Sequence, residues 1–508
     1  MTAEIQLVRG RWVFAYDEVI SDGAIAVEGD TIVDVGSWHE VQERYPDASV
    51  IGSSYHAVIP GLVNAHHHSN GVPNSLLGIE DDLLELWLYS RNAKRSQDSK
   101  LRTLLSAAYL LKTGVTSVVD VASLGGSVAD SHQEMQSCLS AYDQAGIRVA
   151  FTPGVRHESL LVHGKGQDEA FLATLPIELQ QKVMSLTPLV QGLSLAESLE
   201  IVSDAVKHYQ SHALLDVWFG PPGPQWVGDD GLLKIVEAAN QLNTHVQTHA
   251  LESFYEKEMG PKFYGKSVIA HLHELGMLSP QFSLAHGVWV SEADIELLVE
   301  TGAAVSHNPS SNLRLRAGVA PLNALLAEGV TVGLGMDGTT LNDDEDMFTE
   351  MRLAARLQRS PQIEDSVPTF EEIFQIATVG GARLMGKEHQ IGKIAPGYKA
   401  DLVLVNCECL TWPWIAPEAD PMSVVMMRAR QSDVDTVMVN GEIVLEEGSP
   451  TKFDLVEVGQ LLAERLATQP DRLDYRALAR AIRPHMVRWY GSWPVPELSP
   501  FLMSNSRG

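Results

Sequence analysis

Apolar residues follow two rhythms along this chain. Between residues 3 and 58 they tend to alternate with polar or small residues, as in Ile5-Gln6-Leu7-Val8, Ala24-Ile25-Ala26-Val27-Glu28 and Thr31-Ile32-Val33-Asp34-Val35. That rhythm predicts short strands. Glu28-Gly29-Asp30 supplies a turn between two of them. The same texture returns only after residue 392, in Ala400-Asp401-Leu402-Val403-Leu404-Val405 and in Thr436-Val437-Met438-Val439, which the hairpin signal Asn440-Gly441 follows. The two ends are therefore expected to form one small β domain, interrupted by a long insertion.

Inside the insertion, apolar runs alternate with stretches of helical period. Runs at 58–66, 115–121, 147–153, 214–220, 244–250, 282–286, 302–307 and 330–337 predict strands. Stretches such as 101–112, 197–209, 231–242, 292–300 and 347–358 predict helices. This alternation predicts an α/β fold, an eight-stranded parallel (TIM-type) barrel, with a small composite β-sandwich domain built from both ends of the chain. The expected organisation is 1–58 for the first part of the sandwich, 59–392 for the barrel, 393–455 for the second part of the sandwich and 456–508 for a C-terminal helical extension. The tail Trp489-Tyr490-Gly491-Ser492-Trp493-Pro494 is read as packing against the barrel or a subunit partner.

Size and charge narrow the partners. The chain has 508 residues, 45% of them hydrophobic, ample for a large core. Its 37 basic against 65 acidic residues give a net charge of −28, which argues against nucleic acid or an anionic membrane as partner. No uncharged apolar run approaches the roughly 18 residues of a membrane span. The first residues, MTAEIQLVRGRWVF, lack the basic-then-apolar order of a secretory signal. Cys138, Cys407 and Cys409 make no disulfide framework, which fits a reducing compartment. A cytoplasmic protein is the expectation.

The chemistry gathers at the predicted strand ends, where barrels of this kind carry their catalytic groups. Pro60-Gly61-Leu62-Val63-Asn64-Ala65-His66-His67-His68 ends the first strand. Residues two apart share a face, so His66 and His68 aim at one point while His67 faces away. His249 ends the fifth strand, His286 the sixth, His307 the seventh and Asp337 the eighth. One such histidine would read as structural, but this set reads as a metal site. His66, His68, His249 and Asp337 form a His₃Asp set with one position open to water. Nitrogen and carboxylate donors without thiolate suit one divalent metal ion, Zn²⁺ first and Fe²⁺ second.

Further segments match a known family. They are Asp81-Asp82-Leu83 to Glu85-Leu86-Trp87-Leu88, Gly114-Val115-Thr116-Ser117, His249-Ala250-Leu251-Glu252, Ala285-His286-Gly287-Val288-Trp289, His307-Asn308-Pro309-Ser310-Ser311-Asn312, Gly335-Met336-Asp337-Gly338 and Gly392-Lys393-Ile394-Ala395-Pro396-Gly397. With the histidine triplet they make the chain resemble the amidohydrolase superfamily over nearly its whole length. The nearest likeness is to the branch of triazine hydrolases and of cytosine, guanine and adenosylhomocysteine deaminases, which implies one metal in the barrel mouth. Two-metal relatives bridge their ions with a lysine at the end of strand four. Here that stretch, Leu214-Leu215-Asp216-Val217-Trp218-Phe219-Gly220-Pro221-Pro222, has none.

The resemblance implies roles. Asp337 ligates the metal and accepts a proton from water, His286 holds the water, and a protonated Glu252 donates to a ring nitrogen. The alternative for Glu252 is a carboxylate at a helix N-terminus, favoured by the macrodipole. Trp87, in the loop expected after strand one, is a candidate substrate contact, as are Gln225, His307 and Asn312. Gln225 and Trp226 stand where relatives often show a His-containing motif. His157 and His163 are placed near the mouth, His67 behind it, and Thr339, Thr340 and Asn342 beside Asp337. The expected activity is deamination of a small N-heterocycle by a homodimer or higher homo-oligomer. Cleavage of an amide, urea, carbamate or carbon–halide bond is the alternative. A non-catalytic relative would have lost ligands that this chain keeps.

Overall fold

The computed structural model describes residues 5–154, 156–158, 160–186, 193–359, 363 and 367–496. The last part of the expected extension, 497–508, and residues 1–4 lie outside the described residues. Four strands open the chain: β1 (Ile5–Phe14), β2 (Val19–Glu28), β3 (Thr31–Ser37) and β4 (Ser49–Pro60). Eight follow in the insertion: β5 (Leu62–His67), β6 (Val115–Ser123), β7 (Arg148–Gly154), β8 (Leu215–Val217), β9 (Val246–Ala250), β10 (Phe282–His286), β11 (Ala304–His307) and β12 (Val332–Leu334). Four more come last: β13 (Leu402–Asn406), β14 (Val434–Val439), β15 (Glu442–Glu446) and β16 (Ser449–Pro450).

The two ends of the chain share one mixed sheet, in the order β16-β15-β14-β13-β4-β1-β2-β3. Hydrogen bonding thus joins all eight strands continuously, where a sandwich suggests two separately paired layers. β4 is the reason, because it pairs with β1 on one side and with β13 on the other. Val8, Ile25, Ile32 and Val58 pack with Leu402, Leu404 and Met438 on one face. The Asn440-Gly441 turn has both residues in the left-handed region, at φ 52° and 79°. A Cβ on Gly441 would sit 2.0 Å from the Gly29 carbonyl oxygen, so glycine alone fits between the two turns.

The insertion forms two four-stranded parallel sheets, β5-β6-β7-β8 and β12-β11-β10-β9. They meet at two single bridges, Phe219 beside Val246 and His67 beside Asp337. At the first seam the Phe219 N–H donates to the His245 carbonyl (3.0 Å) and the Gln247 N–H to that of Phe219 (3.1 Å). At the second the Asp337 N–H donates to the His66 carbonyl (2.9 Å). β5 and β10 are buried at every position, as parallel strands covered on both faces must be. Arg148, at the start of β7, reaches both carboxylate oxygens of Asp401 before β13, at 3.3 and 3.2 Å, and ties the two structures together.

Two helices, Leu455–Thr468 and Leu473–Gly491, follow the mixed sheet. The second carries Tyr490, whose hydroxyl accepts the His163 N–H at 3.1 Å. Trp493 meets Phe263 edge-on and Tyr490 at a tilt, with ring centroids 5.8 and 5.2 Å away. No helix among the described residues is long and apolar enough to cross a membrane.

Candidate active site

Strand ends build the site by turning out of extended geometry. His286 and Asp337 lie in the left-handed region, at φ 77° and 53°, as does Leu251 at 54° just past β9. Non-glycine residues there cost about 1–3 kcal/mol each and cluster where function over-determines the backbone. The turns aim His286, Asp337 and Glu252 at His66 and His68.

Hydrogen bonds behind the rings set their tautomers. His66 Nδ1 donates to Gln247 Oε1 (2.9 Å) and His68 Nδ1 to the Val121 carbonyl (2.8 Å), so both Nε2 lone pairs face inward. His68 Nε2 lies 3.2 Å from His249 Nε2 and 3.1 Å from Asp337 Oδ1. His66 Nε2 is 3.7 Å from the same oxygen, buried, and without a hydrogen-bond partner among the described residues. The donor atoms of His66, His68 and His249 all fall within 4.8 Å of one another, as do those of His66, His286 and Asp337. An orphaned buried nitrogen amid convergent lone pairs and a carboxylate fits a divalent cation.

The electrostatics agree with ligand chemistry. Burial, reinforced by the His68 ring, pushes His66 down to about 3 and so keeps it neutral. Burial and the neighbouring rings of His66 and His68 hold His249 well below its ordinary range. Burial favours the neutral form of Asp337, but the rings of His68, His66 and His286 outweigh it, and the carboxyl stays ionised. Its Oδ2 accepts the Ser311 hydroxyl at 2.5 Å, and Thr339 donates in turn to Ser311 at 2.8 Å.

Glu252 and His286 complete the mouth. His286 Nδ1 donates to Asn312 Oδ1 at 2.8 Å, which turns Nε2 toward Glu252 Oε2 (3.5 Å) and Asp337 Oδ2 (4.0 Å). Burial, followed by the charges of Asp337, Glu256 and Glu85, holds the Glu252 carboxyl well above the usual range. That shift favours the protonated carboxyl. The Glu252 N–H donates to Glu256 Oε2 at 2.8 Å, which fixes the turn.

A small cavity of about 70 Å³ opens over these groups, walled in part by Trp87, Arg91, Arg156 and Trp226. Trp87 reaches it from a helix, Leu84–Arg91, where the sequence suggested a loop. The run Leu84-Glu85-Leu86-Trp87-Leu88 consists largely of good helix formers, and that propensity prevails. Gln225 is buried beside the cavity, but its neighbour Trp226 takes the wall. His307 is buried with neither ring nitrogen paired among the described residues, and burial pushes it down to about 4; it stands behind the mouth, near His286. His157 lines a separate cavity. His163 faces a larger outer one, with Nε2 3.2 Å from Glu85. His67 turns away toward Glu345, at 3.4 Å. Of the residues after Asp337, Thr339 supports it through Ser311, Thr340 accepts the Glu345 N–H, and Asn342 donates to Asp344 at the surface.

Sequence reasoning passed over Gln247, Ser311, Arg91 and Arg156. Gln247 had a signal, since it stands two residues before His249 on the same strand. Arg91 had one as well, lying four residues after Trp87 on one helical face.

Known proteins place this geometry. The family model described as "Amidohydrolase family" matches residues 57–444, and one described as "Imidazolonepropionase-like composite domain, bacteria" matches residues 23–48. The 5-methylthioadenosine/S-adenosylhomocysteine deaminase of Thermodesulfovibrio yellowstonii is 30% identical over 462 residues, 89% of this chain and 95% of its own length. The 5'-deoxyadenosine deaminase of Methanosarcina barkeri is 28% identical, over 91% of this chain and 98% of its own. The crystal structure of an adenosine deaminase from Xanthomonas campestris with bound zinc aligns with a TM-score of 0.76 at 25% identity, covering 92% of this chain and 99% of that one.

Proposed function

The chain belongs to the amidohydrolase family, and on that premise we propose that its strand-end cluster is a single-metal aminohydrolase centre. It is a hydrolytic enzyme acting on carbon–nitrogen bonds, a metal-dependent aminohydrolase of a heterocycle. His66, His68, His249 and Asp337 hold the ion, and their donor chemistry and the zinc-bound relative support Zn²⁺. The two bridged seams support reading the parallel sheets as one closed eight-stranded barrel over 59–392, with 1–58 and 393–455 as the composite domain and 456–508 as its extension.

The observation that carries the reading is the triangle of Glu252, His286 and Asp337 around one point. When bound, the ion lowers the pKa of a water toward neutrality and makes a nucleophile available. Asp337, whose Oδ2 is held by Ser311, would accept a proton from a water placed in the mouth. His286, oriented by Asn312, keeps the water on the line of attack. Glu252 gives its proton to the ring nitrogen beside the attacked carbon, and the proton accepted by Asp337 passes to the amino group. The C–N bond then breaks to release ammonia, and the new hydroxyl returns a proton to Glu252 as the ring carbon keeps the oxygen as a carbonyl. Trp87 and Trp226 supply flat apolar walls for the ring.

Glu252→Gln should keep the fold and the metal while lowering kcat by roughly 10²–10⁴, the usual contribution of general acid–base catalysis. Ammonia release from purines, pterins, aminopyrimidines and triazines reads the activity, and elemental analysis of the same samples reads the metal. Full turnover in the Gln variant would remove Glu252 from the chemistry. His249→Ala should lose the metal, and a full complement there would break the ligand set.

A further inference from the structure

Three segments meet on one side of the mouth, and one mostly buried cation joins them. The first leads from β5 into helix Leu84–Arg91, which brings Trp87 to the cavity. The second is helix Pro309–Arg314, after β11, whose Ser311 donates to Asp337 and whose Asn312 accepts from His286. The third follows Asp337 and includes Thr339, Thr340 and Asp343. Arg314 ends the second segment and grips the other two. Its Nε and Nη2 donate to the two carboxylate oxygens of Asp81, at 2.9 and 2.8 Å. Its Nη1 donates to the Thr340 carbonyl at 2.6 Å and to the Asp343 carboxylate. A planar fork of fixed donors spans two carboxylates and a carbonyl at once; a compact ammonium on a flexible stem has no such geometry.

The packing around this residue couples the same segments. Leu315, next in the chain, packs with Ile79, Leu84, Trp87 and Ala93 and lines the mouth. The side chains of Asn70 and Asn74 donate to the Gly338 carbonyl at 3.0 and 3.2 Å, beside Asp337. The Ser75 N–H donates to Asp343 Oδ2 at 3.1 Å. A shift of the first segment is thus passed to the backbone that aims Asp337. The neighbouring carboxylate, Asp82, makes a different pair, with Arg483 of the C-terminal helix at 3.0 Å. Arg483 keeps 52% of its side chain exposed and Arg314 only 10%. Exposed pairs are screened and hold little.

We propose that Arg314 is a positioning residue for the hydrolytic reaction: its guanidinium clamps the Trp87 wall, the Ser311–Asn312 helix and the segment after Asp337 in one register. The proposal rests on the aminohydrolase reading for the chemistry that is positioned. Arg314 bonds neither the four proposed ligands nor Glu252 among the described residues, so it acts through Ser311, Asn312 and Trp87. Misplacing reacting groups by about 1 Å costs roughly 100-fold in rate, so a clamp at this distance is felt in kcat.

The test compares Arg314→Met, Arg314→Lys and Arg483→Met with the unmodified enzyme, all metal-loaded. Ammonia release from the best substrate of the screen reads kcat, elemental analysis reads the metal, and amide hydrogen exchange reads the segments. Arg314→Met should keep the metal, lose roughly 10- to 100-fold in kcat, and exchange faster in 79–91 and 338–345 together. Arg314→Lys, which keeps the charge without the fork, should recover only part of kcat. Arg483→Met should stay within a few-fold of the unmodified enzyme. Unchanged kcat in Arg314→Met overturns the proposal, as does faster exchange in one segment alone or an equal loss in Arg483→Met. If Arg314→Met fails to fold or loses the metal, Arg314→Lys decides, and full activity there overturns the clamp. If the unmodified enzyme releases no ammonia from any ring, the aminohydrolase reading falls, and exchange in the two segments alone upholds or overturns the clamp.

Discussion

Glu350 lies behind the site with its side chain fully buried, where its Oε2 accepts the Ser310 N–H at 3.3 Å and its Oε1 has no hydrogen-bond partner among the described residues. Burial pushes this carboxyl from 4.5 up to about 8. Between those values the folded chain holds a proton that the unfolded chain has released. Stability therefore falls as pH rises through that window. Glu350→Gln cannot release the proton, so its stability should fall less steeply, by a slope of about one proton. Urea midpoints measured across the window check this, and parallel profiles for the two proteins would refute it. The same residue scale shows what sequence could and could not disclose. His66, His68, His249, His286 and Asp337 are legible because a strand end is a place that sequence can locate. Ser311 is not, since its link to Asp337 spans 26 positions and depends on how the short helix Pro309–Arg314 enters the mouth. Gln225 and Trp226 show the residual ambiguity, because a turn after a strand offers two neighbours and only the backbone decides which one faces in.

Strands and helices add a second level. The alternating runs located every strand of the insertion, because a parallel strand buried on both faces is a continuous apolar segment. Helix Leu84–Arg91 was missed because few of its residues repeat at a clear period; nearly all are at least half-buried. The pairing of β4 with both β1 and β13 could not be read from alternation, which gives faces but not neighbours. One contact across these elements is decisive for stability. Arg148 bonds both oxygens of Asp401 and the Ala213 carbonyl, and Asp401 also accepts the Asn440 N–H at 2.7 Å. Arg148 and Asp401 each retain only 2% side-chain exposure. Arg148→Met would leave a carboxylate buried without its cation, at a cost of about 3–5 kcal/mol. Arg148→Met with Asp401→Leu should recover much of that loss, because the pair is then replaced by apolar groups. Denaturant unfolding of the two variants separates a lost bridge from a stranded charge; equal destabilisation of both would mean that the backbone contacts, not the charge, hold this junction.

At the scale of the molecule, the C-terminal helix Leu473–Gly491 walls the outer cavity rather than merely packing on the fold, because Tyr490 lines it. Its ring centroid lies 4.7 Å from Tyr255 and 5.2 Å from Trp493, and its hydroxyl holds the backbone of His163. None of these residues bonds the four proposed ligands, so the wall and the mouth are separable. Tyr490→Ala should cost roughly 3–5 kcal/mol in stability, as other large aromatic truncations in cores do. Removing the chain beyond residue 472 should go further and open the cavity to water. Its effect belongs to substrate capture: KM for the best substrate of the ammonia screen should rise by about tenfold or more, while metal content stays full and kcat changes much less. Steady-state kinetics with elemental analysis on the same truncated protein check this. Loss of metal on truncation would show instead that the helix braces the mouth itself, and unchanged KM would mean that substrate never reaches the outer cavity.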